Sequence, residues 1–213
     1  MPGIFDVSMF VSEHVPVFPG DPLVKIEKVK SISIDGYELS KISTGVHIET
    51  HIDAPSHFFQ DKGDASELDL SVLVGKAVVI EFPNSGLISV SDLKNIDFSQ
   101  YTRVLFKTQN SGLMNSEVFN ENYVYLDEQA ADYLLEQGIR LIGFDYYSID
   151  KYNSDMPVHK KLLENDVVII EGLNMWEIDP GEYELLALPI KLKAEAAPAR
   201  VILRKYFRGE IPE

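Results

Sequence analysis

Three of the chain's five histidines, His47, His51 and His57, fall within an eleven-residue stretch. The stretch reads His47-Ile48-Glu49-Thr50-His51-Ile52-Asp53-Ala54-Pro55-Ser56-His57-Phe58, with groups able to coordinate a cation at alternate positions from 47 to 53. Successive side chains of an extended strand point to opposite faces, so this spacing predicts His47, Glu49, His51 and Asp53 on one face and Ile48, Thr50 and Ile52 on the other. A helix would keep His47 near His51 but, at about 100° per residue, would turn Asp53 roughly 120° away. The β-branched back face and Pro55 favour the extended form.

Imidazole and carboxylate together suit zinc, manganese or iron, and a chain without cysteine must hold any metal on nitrogen and oxygen. Three or four such ligands leave a coordination position at which water can be activated. Taken alone, each histidine reads as a solvated or hydrogen-bonded strand residue. Taken together, with Asp53 in step, they read as a metal site.

The elements that must position these groups are mostly strands. β-branched and aromatic runs predict them at 4–11, 24–34, 77–82, 103–107, 123–126, 139–144, 167–170, 185–190 and 200–207. Asp127 opens a helical pattern carried by Ala130, Ala131, Leu134 and Leu135 and stopped at Gly138. Ser89 or Ser91 caps a shorter helix through Leu93 and Ile96, and residues 158–163 form another after Pro157. Strand and helix thus alternate from about 77 to 171, which predicts an α/β protein whose mixed, barrel-like curled sheet carries helices outside it.

With 213 residues, 45% apolar and 25% charged, the chain has the balance of an ordinary globular protein, and no linker or repeat divides it. One domain over 1–213 is expected. Its 34 acidic and 19 basic residues give a net charge of -15, a surface that repels nucleic acid. No run approaches the roughly 18 apolar residues of a membrane span, and residues 1–11 show no basic region ahead of an apolar one. A cytoplasmic protein acting on a small molecule is the expectation.

The 47–58 segment resembles the cyclase-family motif H-x-G-T-H-x-D-A-P-x-H-F of bacterial kynurenine formamidases, departing from it only at Glu49, where that motif has glycine. Further matches are Pro19-Gly20-Asp21, Gly143-Phe144-Asp145 with Ser148 and Asp150, His159 with Leu162-Leu163, Ile170-Glu171-Gly172-Leu173, Leu188-Pro189 and Pro198-Ala199-Arg200. The resemblance implies a swivelling β/β/α fold, a homodimer or higher oligomer, and one or two divalent ions per subunit, zinc or manganese. It implies that His47, His51 and Asp53 hold one ion, that Asp53 and Glu171 bridge to a second completed by His159, and that His57 moves protons. Phe18 stands where the kynurenine-specific enzymes have a tryptophan against the substrate ring.

The implied activity is metal-dependent hydrolysis of a small amide: N-formylkynurenine, another aryl formamide, or a cyclic imide or lactam. Two divalent ions with Asp53, Glu171 and one hydroxide sum to about +1, which suits a developing oxyanion, and an ionised Glu49 would bring that to about zero. Glu49 is therefore expected either to add a ligand or to turn away through a break in the strand. Tyr146, Tyr147 and Tyr152 precede His159 and are candidates for an aromatic wall.

Two other readings compete. His51-x-Asp53 with His159 has the outline of a two-histidine, one-carboxylate iron oxygenase, although no arginine follows His159 before Arg200 to anchor an oxoacid. A homologue that binds metal or a small molecule without turnover is the other. Serine hydrolase and zinc protease motifs, G-x-S-x-G and H-E-x-x-H, are absent from the sequence.

Overall fold

A computed structural model of the protein describes residues 3–205. Its strands in chain order are β1 (Gly3–Asp6), β2 (Lys25–Lys30), β3 (Leu39–Ser43), β4 (His51–Asp53), β5 (Val74–Phe82), β6 (Leu87–Ile88), β7 (Arg103–Thr108), β8 (Tyr125–Leu126), β9 (Leu141–Phe144), β10 (Val168–Glu171), β11 (Gly181–Pro189) and β12 (Ala196–Lys205). The helices are α1 (Ile32–Asp35), α2 (Leu70–Leu73), α3 (Val90–Leu93), α4 (Asn110–Leu113), α5 (Glu128–Glu136) and α6 (Pro157–Glu164).

Strands β5, β7, β9 and β10 lie parallel, as strands joined through helical crossovers must. The chain then returns antiparallel, β11 on β5 and β12 on β11. On its other edge β12 pairs first with β4 and then, farther along, with β1. Because β4 also pairs with β10, the strands β12-β11-β5-β7-β9-β10-β4 close into a ring, and the mixed, curled sheet with outer helices is observed.

Alternate residues of these strands fall into two cores. Leu105, Leu141, Ile170, Ile52, Leu185 and Leu203 join one cluster, drawn from strands around the ring and so inside it. Val104, Phe106, Ile142, Phe144 and Ile169 join another with Leu134 of α5 and Leu162 of α6, the helix side. β9 and β10 are buried throughout, as parallel strands covered on both faces are. This parity decides where the chemistry lies. Ile52 points into the barrel, so its neighbours His51 and Asp53 point to the helix side, as does Glu171, two residues past Ile169.

Some predicted elements differ. The 4–11 run is a strand only over Gly3–Asp6, followed by an isolated bridge from Ser8 to Leu173. The 24–34 run stops at Lys30 and turns into α1, so β2 folds back on β3 as a separate two-stranded ribbon. The last strand runs Ala196–Lys205, and positions 206 and 207 of its predicted span lie outside the described residues. The three predicted helices form; Ser89 caps α3 with a capping box closed by Asp92.

A buried carboxylate ties the barrel rim to the loop after β9. Asp145 accepts from the Thr108 N–H (2.6 Å) and hydroxyl (3.0 Å) at the end of β7, and from the Ser111 N–H (3.0 Å) and hydroxyl (2.7 Å) on α4. Four donors on one carboxylate hold the chain rigidly where residues 146–150 begin. Among the described residues, no helix is long and apolar enough to cross a membrane.

Candidate metal centre

The antiparallel register of β10 and β4 sets Glu171 opposite His51 and Ile169 opposite Asp53. Directly opposed residues have Cβ atoms about 5 Å apart, so His51, Asp53 and Glu171 form one patch on the helix side of the barrel. Helix α6 brings His159 over it. The His159 Nε2 atom is 3.3 Å from Asp53 Oδ2 and 3.0 Å from Glu171 Oε1, while His51 Nε2 is 3.5 Å from Asp53 Oδ1 and from Glu171 Oε2. Each carboxylate thus turns one oxygen to each imidazole. His47 enters from the loop before β4, its Nδ1 atom 3.0 Å from Asp53 Oδ1.

Two groups of potential ligands result, His47-His51-Asp53 and Asp53-His159-Glu171, each with its ligand atoms within 4.8 Å of one another. Asp53 belongs to both. His51, Asp53, His159 and Glu171 are buried, and His47 is partly so. Both Asp53 oxygens and the Nε2 atoms of His47 and His51 have no hydrogen-bond partner among the described residues, despite these short contacts. Buried polar atoms left so each cost about 1–3 kcal/mol, and a cation on the shared donors removes that cost. The donor set fits a divalent metal.

The outer nitrogens are fixed. The Nδ1 of His51 is 2.8 Å from the Glu49 carbonyl, to which it donates, leaving Nε2 to the centre. The Nδ1 of His159 is 2.7 Å from Asp150, whose carboxylate also accepts from the N–H groups of Val158 (3.0 Å) and His159 (2.9 Å) at the start of α6. One acidic side chain therefore caps the helix and orients its histidine. The sequence showed Asp150 only as a position matching the motif; its place seven residues ahead of a helix that starts at Pro157 was the available signal.

The expected strand from 47 to 53 is corrected: only residues 51–53 are strand, and the chain breaks at Glu49, φ 49°. The break is forced by packing. A Cβ on Gly172 would lie 2.0 Å from the Glu49 carbonyl oxygen, and Gly172 itself has φ 67°. Thr50 adds a 2.5 Å hydrogen bond to the Gly172 carbonyl. Glu49 consequently leaves the shared face and is in neither ligand group. Its buried Oε1 accepts from the Tyr147 hydroxyl (3.2 Å), and burial, partly offset by that bond, pushes its carboxyl up to about 7.

His57 ends a 3-10 turn, Pro55–His57. Its ring centroid is 4.3 Å from that of His47 and 6.2 Å from that of His159. Burial lowers its pKa, with Asp53 partly opposing, so it favours the neutral form that can take a proton. Phe18 lines the same pocket and packs edge-on against Phe119 at 5.3 Å and at a tilt against Tyr152 at 6.0 Å. Of the three tyrosines, Tyr147 is on the pocket wall, Tyr152 backs Phe18, and Tyr146 is core, its hydroxyl engaged with the Asn120 backbone.

Without a metal, the carboxylates hold protons on the imidazoles. Burial opposes charge on His51, but the neighbouring Glu171 and Asp53 carboxylates outweigh it and raise His51 to about 9. His159 is raised well above its ordinary value against the same burial, chiefly by Glu171 and Asp150. A metal taking the Nε2 atoms must displace those protons. Binding at pH 7 is therefore expected to release about two protons, and affinity to rise with pH towards about 9. Calorimetric titration in buffers of different ionisation enthalpy measures this; binding without proton release would contradict the assignment.

The putative cyclase family model matches residues 5–151. A kynurenine formamidase of Geobacillus thermodenitrificans (strain NG80-2) is 37% identical over 206 residues, covering 94% of this chain and 96% of the relative. The structure of a predicted metal-dependent hydrolase from Bacillus stearothermophilus superposes with TM-score 0.85 at 32% identity, over 97% of this chain and all of that one (100%). Isatin hydrolase A from Labrenzia aggregata shares the fold, TM-score 0.85, at 20% identity over 96% of this chain and 94% of its own. The chain belongs to the cyclase family.

Proposed function

We propose that the protein is a metal-dependent hydrolase of a carbon–nitrogen bond in a small amide, an aryl formamide or a cyclic imide or lactam. The observation that carries this reading is Asp53, a fully buried carboxylate shared by two groups of ligands beside a fourth histidine, His57, that belongs to neither. His47, His51, Asp53, His159 and Glu171 are the proposed ligands, for zinc or manganese. When bound, a divalent ion polarises a carbonyl oxygen and lowers the pKa of water.

The chain's own groups supply the rest. His57 is placed to accept a proton from water and return it to the departing nitrogen. Phe18 offers an aromatic wall for the acyl or aryl part of the substrate. Asp150 and the Glu49 carbonyl keep the ligand rings from rotating, so the centre is preorganised. Glu171 joining Asp53 and His159 favours this reading over a two-histidine, one-carboxylate oxygenase site. Names among the relatives, kynurenine formamidase and isatin hydrolase, bracket the substrate class.

The β2-β3 ribbon with its connecting turn exposes Val29, Ile32, Ile34, Tyr37, Leu39 and Ile42. So much exposed apolar surface on one projecting ribbon supports a homodimer built through it. Light scattering is expected to give twice the chain mass, falling to one chain mass in an Ile34→Glu, Ile42→Glu variant; a monomeric wild type would refute the dimer.

The activity is tested on chelated protein reloaded with zinc or manganese and screened anaerobically against aryl formamides, imides and lactams. His57→Ala is expected to keep its metal and lose about 10²–10⁴ in kcat. His51→Ala is expected to lose both metal and turnover. Metal-independent hydrolysis, or full activity in His57→Ala, would overturn the reading.

A further inference from the structure

Residues Phe18-Pro19-Gly20-Asp21 make a tight turn, with the Asp21 N–H donating to the Phe18 carbonyl at 3.0 Å and Gly20 at φ 104°. Proline followed by glycine is the composition this turn demands, since the third position needs a positive φ. The turn puts both its ends, the Phe18 ring and the Asp21 carboxylate, on the wall of the metal pocket. Asp21 makes no side-chain hydrogen bond or ion pair among the described residues; the charged groups acting on it are His47 and His51.

Apart from these imidazoles and that of His159, the wall carries no cationic side chain opposite Asp21 among the described residues. No lysine or arginine lines the pocket, and Lys160 stands over the Phe58 ring instead. Tyr147, also on the wall, directs its hydroxyl proton to buried Glu49 and so adds no donor. Glu49 keeps a left-handed backbone, which costs a non-glycine residue about 1–2 kcal/mol, while its side chain fixes that hydroxyl. The pocket wall therefore carries one carboxylate, Asp21, beyond those of the proposed ligands, with Glu49 buried behind Tyr147.

We infer that Asp21 is a specificity-determining residue, which selects amides carrying a hydrogen-bond donor or positive charge near the scissile group and disfavours those carrying a carboxylate there. The inference rests on the amide-hydrolase reading of the site. An ammonium or N–H facing Asp21 gains a charge-assisted hydrogen bond, whereas a substrate carboxylate meets an unpaired anion.

The test compares formanilide with its 3-aminomethyl and 3-carboxy derivatives on zinc-loaded enzyme. The aminomethyl compound is expected to exceed the carboxy compound in kcat/KM by roughly ten- to hundredfold. Asp21→Asn is expected to bring that ratio within about threefold, and Asp21→Lys to reverse it, with metal content unchanged. A wild type that prefers the carboxy compound, or a ratio indifferent to Asp21→Asn, would overturn the inference. If no anilide is hydrolysed, the aryl-formamide form of the amide-hydrolase reading fails. Calorimetric binding of the same compounds then still reads the charge order: tighter binding of the amine, lost in Asp21→Asn, supports the role of Asp21, and the reverse removes it.

Discussion

The pairing of β4 with β10 is the constraint on which the rest of the site depends. It buries Asp53 completely and brings Glu171 against it on one face of the barrel. Two carboxylates in such a place cannot both remain ionised without cations, because the cost of removing them from water greatly exceeds what a few neutral hydrogen bonds return. The imidazoles of His51 and His159 supply part of that compensation by holding protons, which is why burial fails to lower their pKa values. A divalent ion supplies it more fully, and replaces protons that would otherwise occupy the nitrogens facing the centre.

The surrounding fold keeps these groups from escaping one another. The ring of strands fixes β4 between β10 and β12, so His51 and Asp53 cannot slide by one residue without turning into the barrel interior occupied by Ile52. Asp150 fastens α6 at its first turn and orients His159 by the same carboxylate. Asp145 secures the loop between them. Rigidity therefore comes from buried, fully used acids placed around Asp53, whose two oxygens are left without a hydrogen-bond partner among the described residues.

Much of this was legible in the sequence because it is local. The alternation of His51 and Asp53, the capping residues at Ser89 and Asp127, and the buried runs of β5, β7, β9 and β10 follow from periodicity and composition. The convergence of His159 and Glu171 on the 47–53 segment is not local, and only the resemblance to a family implied it. The regular strand expected through Glu49 fails because its shape is set across the fold by Gly172, more than a hundred residues away in the chain. The path of 24–34 fails for a simpler reason: with most of its side chains exposed, no core enforces one extended strand, and the chain turns at Ser31 to pair with Leu39–Ser43.

Anomalous diffraction from crystals grown with manganese or zinc addresses the central claim without reference to any substrate. The account requires scattering peaks beside Asp53, with His47 and His51 on one side, His159 and Glu171 on the other, or both, at about 2.0–2.2 Å from the coordinating atoms. Ions bound only elsewhere, with the Asp53 carboxylate making no metal contact, would contradict it.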